Sequence, residues 1–228
     1  MIYNKKEFYG GTILLVVFFA VLFMMFQPIY HGHNAMQFLD NLYNSISKGS
    51  IDYSGQLKTE TAPFNGKNVD LTLAYGTDVE AAQSAELFAK AGATAEASGP
   101  NLHVTGSLGA ILDASLSDAK LMYDNDGEAM QAKYGIAPRR ALFNWWTSLK
   151  LMSKSLNKQS MFDSAKVVDT VQTKAIEASY NYYKVEAQHI SDDIGLVIFS
   201  LVFYVVYTLW YGFAILFVFE GWGLKLSH

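Results

Sequence analysis

GGTILLVVFFAVLFMMFQPI, residues 10–29, is an almost unbroken apolar run that contains no charge. As a helix rising about 1.5 Å per residue, a run of this length matches a hydrocarbon core of about 30 Å. A second uncharged run, IGLVIFSLVFYVVYTLWYGFAILFVF, fills residues 194–219. Its extra length allows tilt. It carries Tyr204, Tyr207, Trp210 and Tyr211, with Trp222 just beyond, and such amphipathic rings favour a membrane–water interface. The expected fold class is therefore membrane α+β, with two transmembrane helices, 10–30 and 194–219, flanking one extracytoplasmic domain, 31–193. The first helix reads as an uncleaved signal anchor, because the following QPIYHGHNA has no small-x-small cleavage pattern.

Orientation rests on few charges. Lys5 and Lys6 precede the first run and Lys225 follows the second, whereas Asp192 and Asp193 stand at the second run's other end. Positive flanks stay in the cytoplasm. Residues 1–9 and 220–228 are expected inside, and the domain is expected on the periplasmic side of a bacterial inner membrane.

Between the runs the composition becomes that of an ordinary soluble domain. Residues 31–193 hold 14 Lys and Arg against 19 Asp and Glu, a net charge of −5. That balance argues against a nucleic-acid partner, which requires a basic face, and against docking on anionic lipid through a polybasic patch. The absence of cysteine excludes disulfides, thiolate-held iron–sulfur clusters, covalently attached c-type haem and thiol nucleophiles.

Local patterns fill in the domain. Asn34 caps a predicted helix over 34–47, where Met36, Leu39, Leu42, Tyr43 and Ile46 recur at helical spacing. Gly55, Pro63, Asn65 and Gly66 mark a loop. VDLTLAY, from Val69, alternates as a strand does. Thr77 then opens a helix that Gly92 closes, Gly99-Pro100 turns a hairpin between 93–98 and 101–107, and a helix runs from Leu108 to Tyr123. This is a small β-α-β-β-α sheet module. Helices over 139–156 and 161–190 follow, and together with 34–47 they are expected to form a helical stalk beneath it. No proline falls between 161 and the second run, so the last helix is expected to continue into the membrane.

Few constellations carry chemistry. His31 and His33 follow the first run, and His189, Asp192 and Asp193 precede the second. Side-by-side runs would bring these five to one level, as a candidate metal site or a proton relay toward a quinone; the alternative is that they are ordinary polar residues at the headgroups. Asp124-Asn125-Asp126-Gly127-Glu128 resembles part of a calcium loop, but Met122 and Lys133 occupy positions that need oxygen ligands, so a capping turn is expected. Arg139-Arg140 at a helix start oppose the helix dipole, a conflict that an acidic partner surface or a bound anion would relieve. Trp145 and Trp146 are expected to divide between core and surface. Tyr180, Tyr182 and Tyr183 read as an aromatic belt or helix packing. Thr208 and Gly212 form a small-xxx-small pair through which another helix can approach. No phosphate loop, GxSxG elbow, SxxK pair or HExxH motif occurs.

These features predict no catalytic residue and no cofactor. The best-supported expectation is a non-catalytic accessory subunit of a respiratory, photosynthetic or transport-type membrane complex. Its partners would be other membrane subunits and the lipid bilayer, with no nucleic acid. A ligand-binding sensor module is the first alternative. The tail EGWGLKLSH holds no output domain, so that reading needs a partner too. A membrane enzyme or cofactor subunit using the His/Asp cluster is the second.

Overall fold

The structure, a computed structural model, describes residues 2–30, 32–50 and 53–224. In chain order the elements are α1 (Lys5–Met25), α2 (Ala35–Ser50), α3 (Ser54–Thr61), β1 (Asn68–Ala74), α4 (Asp78–Lys90), β2 (Thr94–Ser98), β3 (Asn101–Ser107), α5 (Leu108–Tyr123), α6 (Gly127–Tyr134), α7 (Pro138–Lys158), α8 (Phe162–Val171), α9 (Ala178–Tyr182) and α10 (Ile194–Trp222). A π-helical turn, Gln172–Glu177, joins α8 to α9. The chain divides into two compact units, Met1–Ser50 with Glu186–His228, and Ile51–Val185.

The first unit is built on α1 and α10, helices of 21 and 29 residues that are long and apolar enough to cross a membrane. Asn4 starts α1 by accepting from the backbone N–H of Lys6 and Glu7, at 3.1 and 3.4 Å. Pro28, which cannot continue a helix, follows its end. The two helices run antiparallel. Tyr3 N–H donates to the Gly221 carbonyl (2.9 Å), the Trp210 indole to that of Leu14 (3.2 Å), and the Tyr207 hydroxyl to that of Phe18 (3.2 Å). Phe18 stacks on Tyr207 with centroids 4.3 Å apart. Two glycines make the close approach possible: a Cβ on Gly11 would stand 2.7 Å from the Val218 nitrogen, and one on Gly221 would collide with the backbone of Phe8. Gly212, singled out above with Thr208, meets open space instead. α2 packs on the start of α10 through Leu42, Ile46 and Val197, and the Tyr43 and Ser200 hydroxyls bond at 2.6 Å.

The second unit is a three-stranded antiparallel sheet, order β1-β3-β2, covered by helices on one face. Thr77 caps α4 by accepting from Glu80 N–H at 3.2 Å, and Gly99, at φ 58°, makes the hairpin turn. Alternation sends Val69, Leu71, Leu73, Leu102 and Val104 into the core. Asp70 and His103 stay on the open face, where they pair at 2.8 Å. Trp145 of α7 is fully buried and meets Phe88 of α4 edge-on, with centroids 5.6 Å apart.

The structure corrects several expectations. The segment around Gly55 and Pro63 is α3 followed by a 3₁₀ turn, Ala62–Phe64, because Leu57 is fully buried and anchors it. α6 is an additional short helix held by the buried Met130. Among the described residues the three helices expected in the stalk do not form one bundle. Leu149, Met152, Val168 and Ile176 belong to the same core as the sheet, while α2 belongs to the other unit. The helix expected over 161–190 ends at Tyr182. There Lys184 turns left-handed (φ 68°), its N–H donating to Asn125 Oδ1 at 2.8 Å while Asn125 Nδ2 donates to the Val185 carbonyl at 3.1 Å. Those side-chain bonds take the backbone groups that another helical turn would need.

The glycine contacts give a test with an unusual sign. Alanine favours helix over glycine by about 1 kcal/mol, yet Gly11→Ala and Gly221→Ala are each expected to destabilise the full-length chain by about 1–3 kcal/mol through overpacking. Gly212→Ala is expected to leave stability unchanged or raise it. Thermal unfolding of the three variants in detergent reads the difference.

Candidate functional site

Four of the residues expected to form a metal site, His33, His189, Asp192 and Asp193, are described. His33 is exposed and lies in a tight turn, exchanging backbone hydrogen bonds with Tyr30 at 2.9 and 3.0 Å. His189 is exposed in the non-helical segment before α10. Asp192 accepts from the Ser191 hydroxyl at 3.2 Å, and the Asp193 side chain makes no cap bond to α10. His31 lies outside the described residues. Among the described residues, no three His, Asp or Glu side chains come together closely enough to hold a metal ion. The Asp124–Glu128 turn does act as a cap: Asp126 accepts from Ala129 N–H at 3.0 Å.

A constellation not anticipated from the sequence sits in the second unit. Asp118 of α5 is fully buried. Its Oδ1 takes Lys133 Nζ at 2.7 Å; its Oδ2 takes the Tyr134 hydroxyl at 2.5 Å and the Trp145 indole N–H at 2.7 Å. A buried carboxylate requires such donors, since desolvation otherwise costs several kcal/mol. The three donors come from α6 and α7, so one side chain ties three helices together. Out of reach of solvent, this carboxylate acts as a structural tie among α5, α6 and α7. Its trace in the sequence is a charge inside an apolar helical stripe, among Leu112, Ser115, Ala119 and Met122.

The outward side of α7 differs in character. Trp145 points inward, whereas Trp146 is only partly buried, stacks on Phe143 at 6.0 Å and donates to Glu177 at 3.3 Å. Phe143, Trp146, Glu177 and Tyr180 line an open cleft of about 240 Å³. Cations lie over the rings: Lys150 is 4.8 Å from Trp146, Arg140 is 5.5 Å from Phe143, and Arg139 is 5.7 Å from Tyr180 and 5.8 Å from Tyr183. Tyr180 and Tyr183 therefore serve this face and its core, in keeping with the helix-packing reading. Arg140 also donates to Gln83 at 3.1 Å and lies 3.7 Å from Glu80. Those contacts offset part of its conflict with the helix dipole.

The first unit has its own cavity of about 270 Å³, between α1, α2 and the start of α10, lined chiefly by Met24, Ile29, Phe38, Phe199 and Phe203. It is almost wholly apolar. No known protein family, curated protein or solved structure matches this chain.

Removing the buried tie has a calculable cost. Asp118→Ala leaves three donors unpaired and is expected to destabilise the chain by about 3 kcal/mol, with Asp118→Asn losing less; urea titration of the full chain in detergent measures both. A second expectation concerns alkaline pH. Burial pushes the Tyr134 hydroxyl above the ordinary tyrosine pKa of about 10, and the Asp118 carboxylate adds to the shift. Burial likewise raises Tyr75, against an opposing hydrogen bond to Ser148. Both groups hold their protons more tightly folded than unfolded. Their contribution is thus complete below about pH 10 and is lost as pH rises above it. The urea midpoint is expected to fall above pH 10, and Tyr134→Phe is expected to flatten that fall.

Proposed function

We propose that the chain is a non-catalytic accessory subunit of a larger complex in a bacterial inner membrane, contributing two anchoring helices and an outer interaction domain. The observation that carries this reading is the inverted surface of α1 and α10. They touch along a seam filled by Phe18 and Tyr207, and many of their other large apolar side chains face outward: Phe23 and Tyr204 are each 68% exposed. In water so much contiguous apolar surface is untenable, and it demands lipid or other helices. α10 offers a long lipid-compatible face that α1 leaves uncovered. Pairing Tyr3 with Gly221 brings the start of α1 and the end of α10 together, in keeping with both of these ends lying on the cytoplasmic side beside Lys5 and Lys6.

The membrane complex supplies the chemistry in this reading. The buried carboxylate is tied down structurally, and the outer surface of α7 is rich in residue types that make interfaces. The test is to tag the chain, solubilise native membranes in mild detergent, and identify co-purifying proteins by mass spectrometry with metals and haem assayed on the same sample. A stoichiometric set of larger membrane proteins is expected. Recovery of a lone monomer or homodimer that is stable without partners would overturn the proposal.

A further inference from the structure

We propose that the outward face of α7, with Tyr180 of α9 beside it, docks an acidic segment of a partner protein. This inference rests on the subunit reading and names the chemistry of one partner. α7 carries Arg139, Arg140, Lys150, Lys154 and Lys158 and no Asp or Glu. It does so within residues 31–193, whose 14 basic and 19 acidic side chains leave a net charge of −5. A basic helix face on an acidic domain is a local reversal of charge, and the surface complementary to it is negative.

The arrangement of the rings strengthens the case. Phe143 and Tyr180 are exposed, Trp146 is half-buried, and between them lies the open cleft of about 240 Å³. Aromatic residues and Arg are the types that dominate binding energy at protein interfaces. A cation over a ring is held in place by the ring quadrupole, and an Arg so held keeps its edge N–H donors available for a carboxylate. Arg140 is already engaged by Glu80 and Gln83. Among the described residues, Arg139 and Lys150 have no carboxylate within 4.0 Å. They are the two positions at which an incoming Asp or Glu gains most.

The experiment uses the tagged full-length chain in native membranes. Arg139→Glu combined with Lys150→Glu is expected to lower recovery of the partner by roughly ten-fold or more. A control with the same change of charge elsewhere, Lys58→Glu with Lys90→Glu, is expected to leave recovery unchanged. Thermal unfolding of each variant checks that it folds. Independently of any variant, carbodiimide treatment of intact membranes joins amines to carboxylates, and it is expected to couple Lys150 to an Asp or Glu of another protein. If wild-type partners co-purify and the Arg139/Lys150 variant folds and retains them fully, the docking inference falls while the subunit reading stands. A cross-link from Lys150 only to a second copy of this chain, or none at all, also overturns it. Recovery of the chain alone, with no cross-link, overturns both.

Discussion

A carboxylate out of reach of water must have its hydrogen-bond partners delivered to it, and in the second unit Asp118 imposes that demand on two other helices. Lys133 and Tyr134 arrive from α6 and Trp145 from α7. The indole that serves Asp118 with its N–H also presents its ring to Phe88, and so to the helix that covers the sheet. One side chain thereby links the polar tie to the apolar core. The cost of burying the charge is offset only when all three donors are in place, which fixes α6 and α7 relative to α5 more sharply than apolar contact alone. Once α7 is fixed, its opposite side has no choice of residues to show. With Trp145 inward, the helical period places Phe143, Trp146 and Lys150 outward.

In the first unit the corresponding constraint is steric. Helices whose surfaces are apolar on every side have no hydrophobic reason to choose one face for each other in a lipid-like setting, so close packing must make the choice. Gly11 and Gly221 leave room where any Cβ would strike backbone. Phe18 and Tyr207 fill the seam between them.

The sequence was most readable where a period was left undisturbed. The alternation of Val69, Leu71 and Leu73 gave the strand, Gly99-Pro100 gave the hairpin, and the two apolar runs gave the two long helices, though α1 begins and ends five residues before the expected 10–30 and α10 runs three residues past 219. It failed where distant residues decide local shape. Nothing near Tyr182 ends a helix; the stop comes from Asn125, 60 residues away from Val185. α3 was hidden because Gly55 and Pro63 outweigh the single buried Leu57. Apart from the early end of its last helix at Tyr182, the stalk was an error of assignment, since helical spacing reveals that a face is apolar but not which neighbour covers it. Around the cleft on α7, the Arg139-Arg140 pair was visible as a conflict with the helix dipole and Trp145-Trp146 as a pair split between core and surface, while the placement of Glu177 and Tyr180 beside them depended on the fold. The His and Asp residues flanking the runs were grouped because side-by-side runs would bring them to one level, and among the described residues no three His, Asp or Glu side chains form a group that could hold a metal ion.

The seam between α1 and α10 also sets a schedule. Tyr207 follows Phe18 by 189 residues, and at about 5–20 residues per second of synthesis that separation is roughly 10–40 s. For that interval α1 exists with its glycine notch empty and its stacking partner not yet made. The strands of the second unit, by contrast, all fall between Asn68 and Ser107, and the donors to Asp118 follow within α6 and α7. The chain's order of emergence gives the sheet unit time to fold before α10 closes the hairpin, and the first helix is the part of the molecule that must wait.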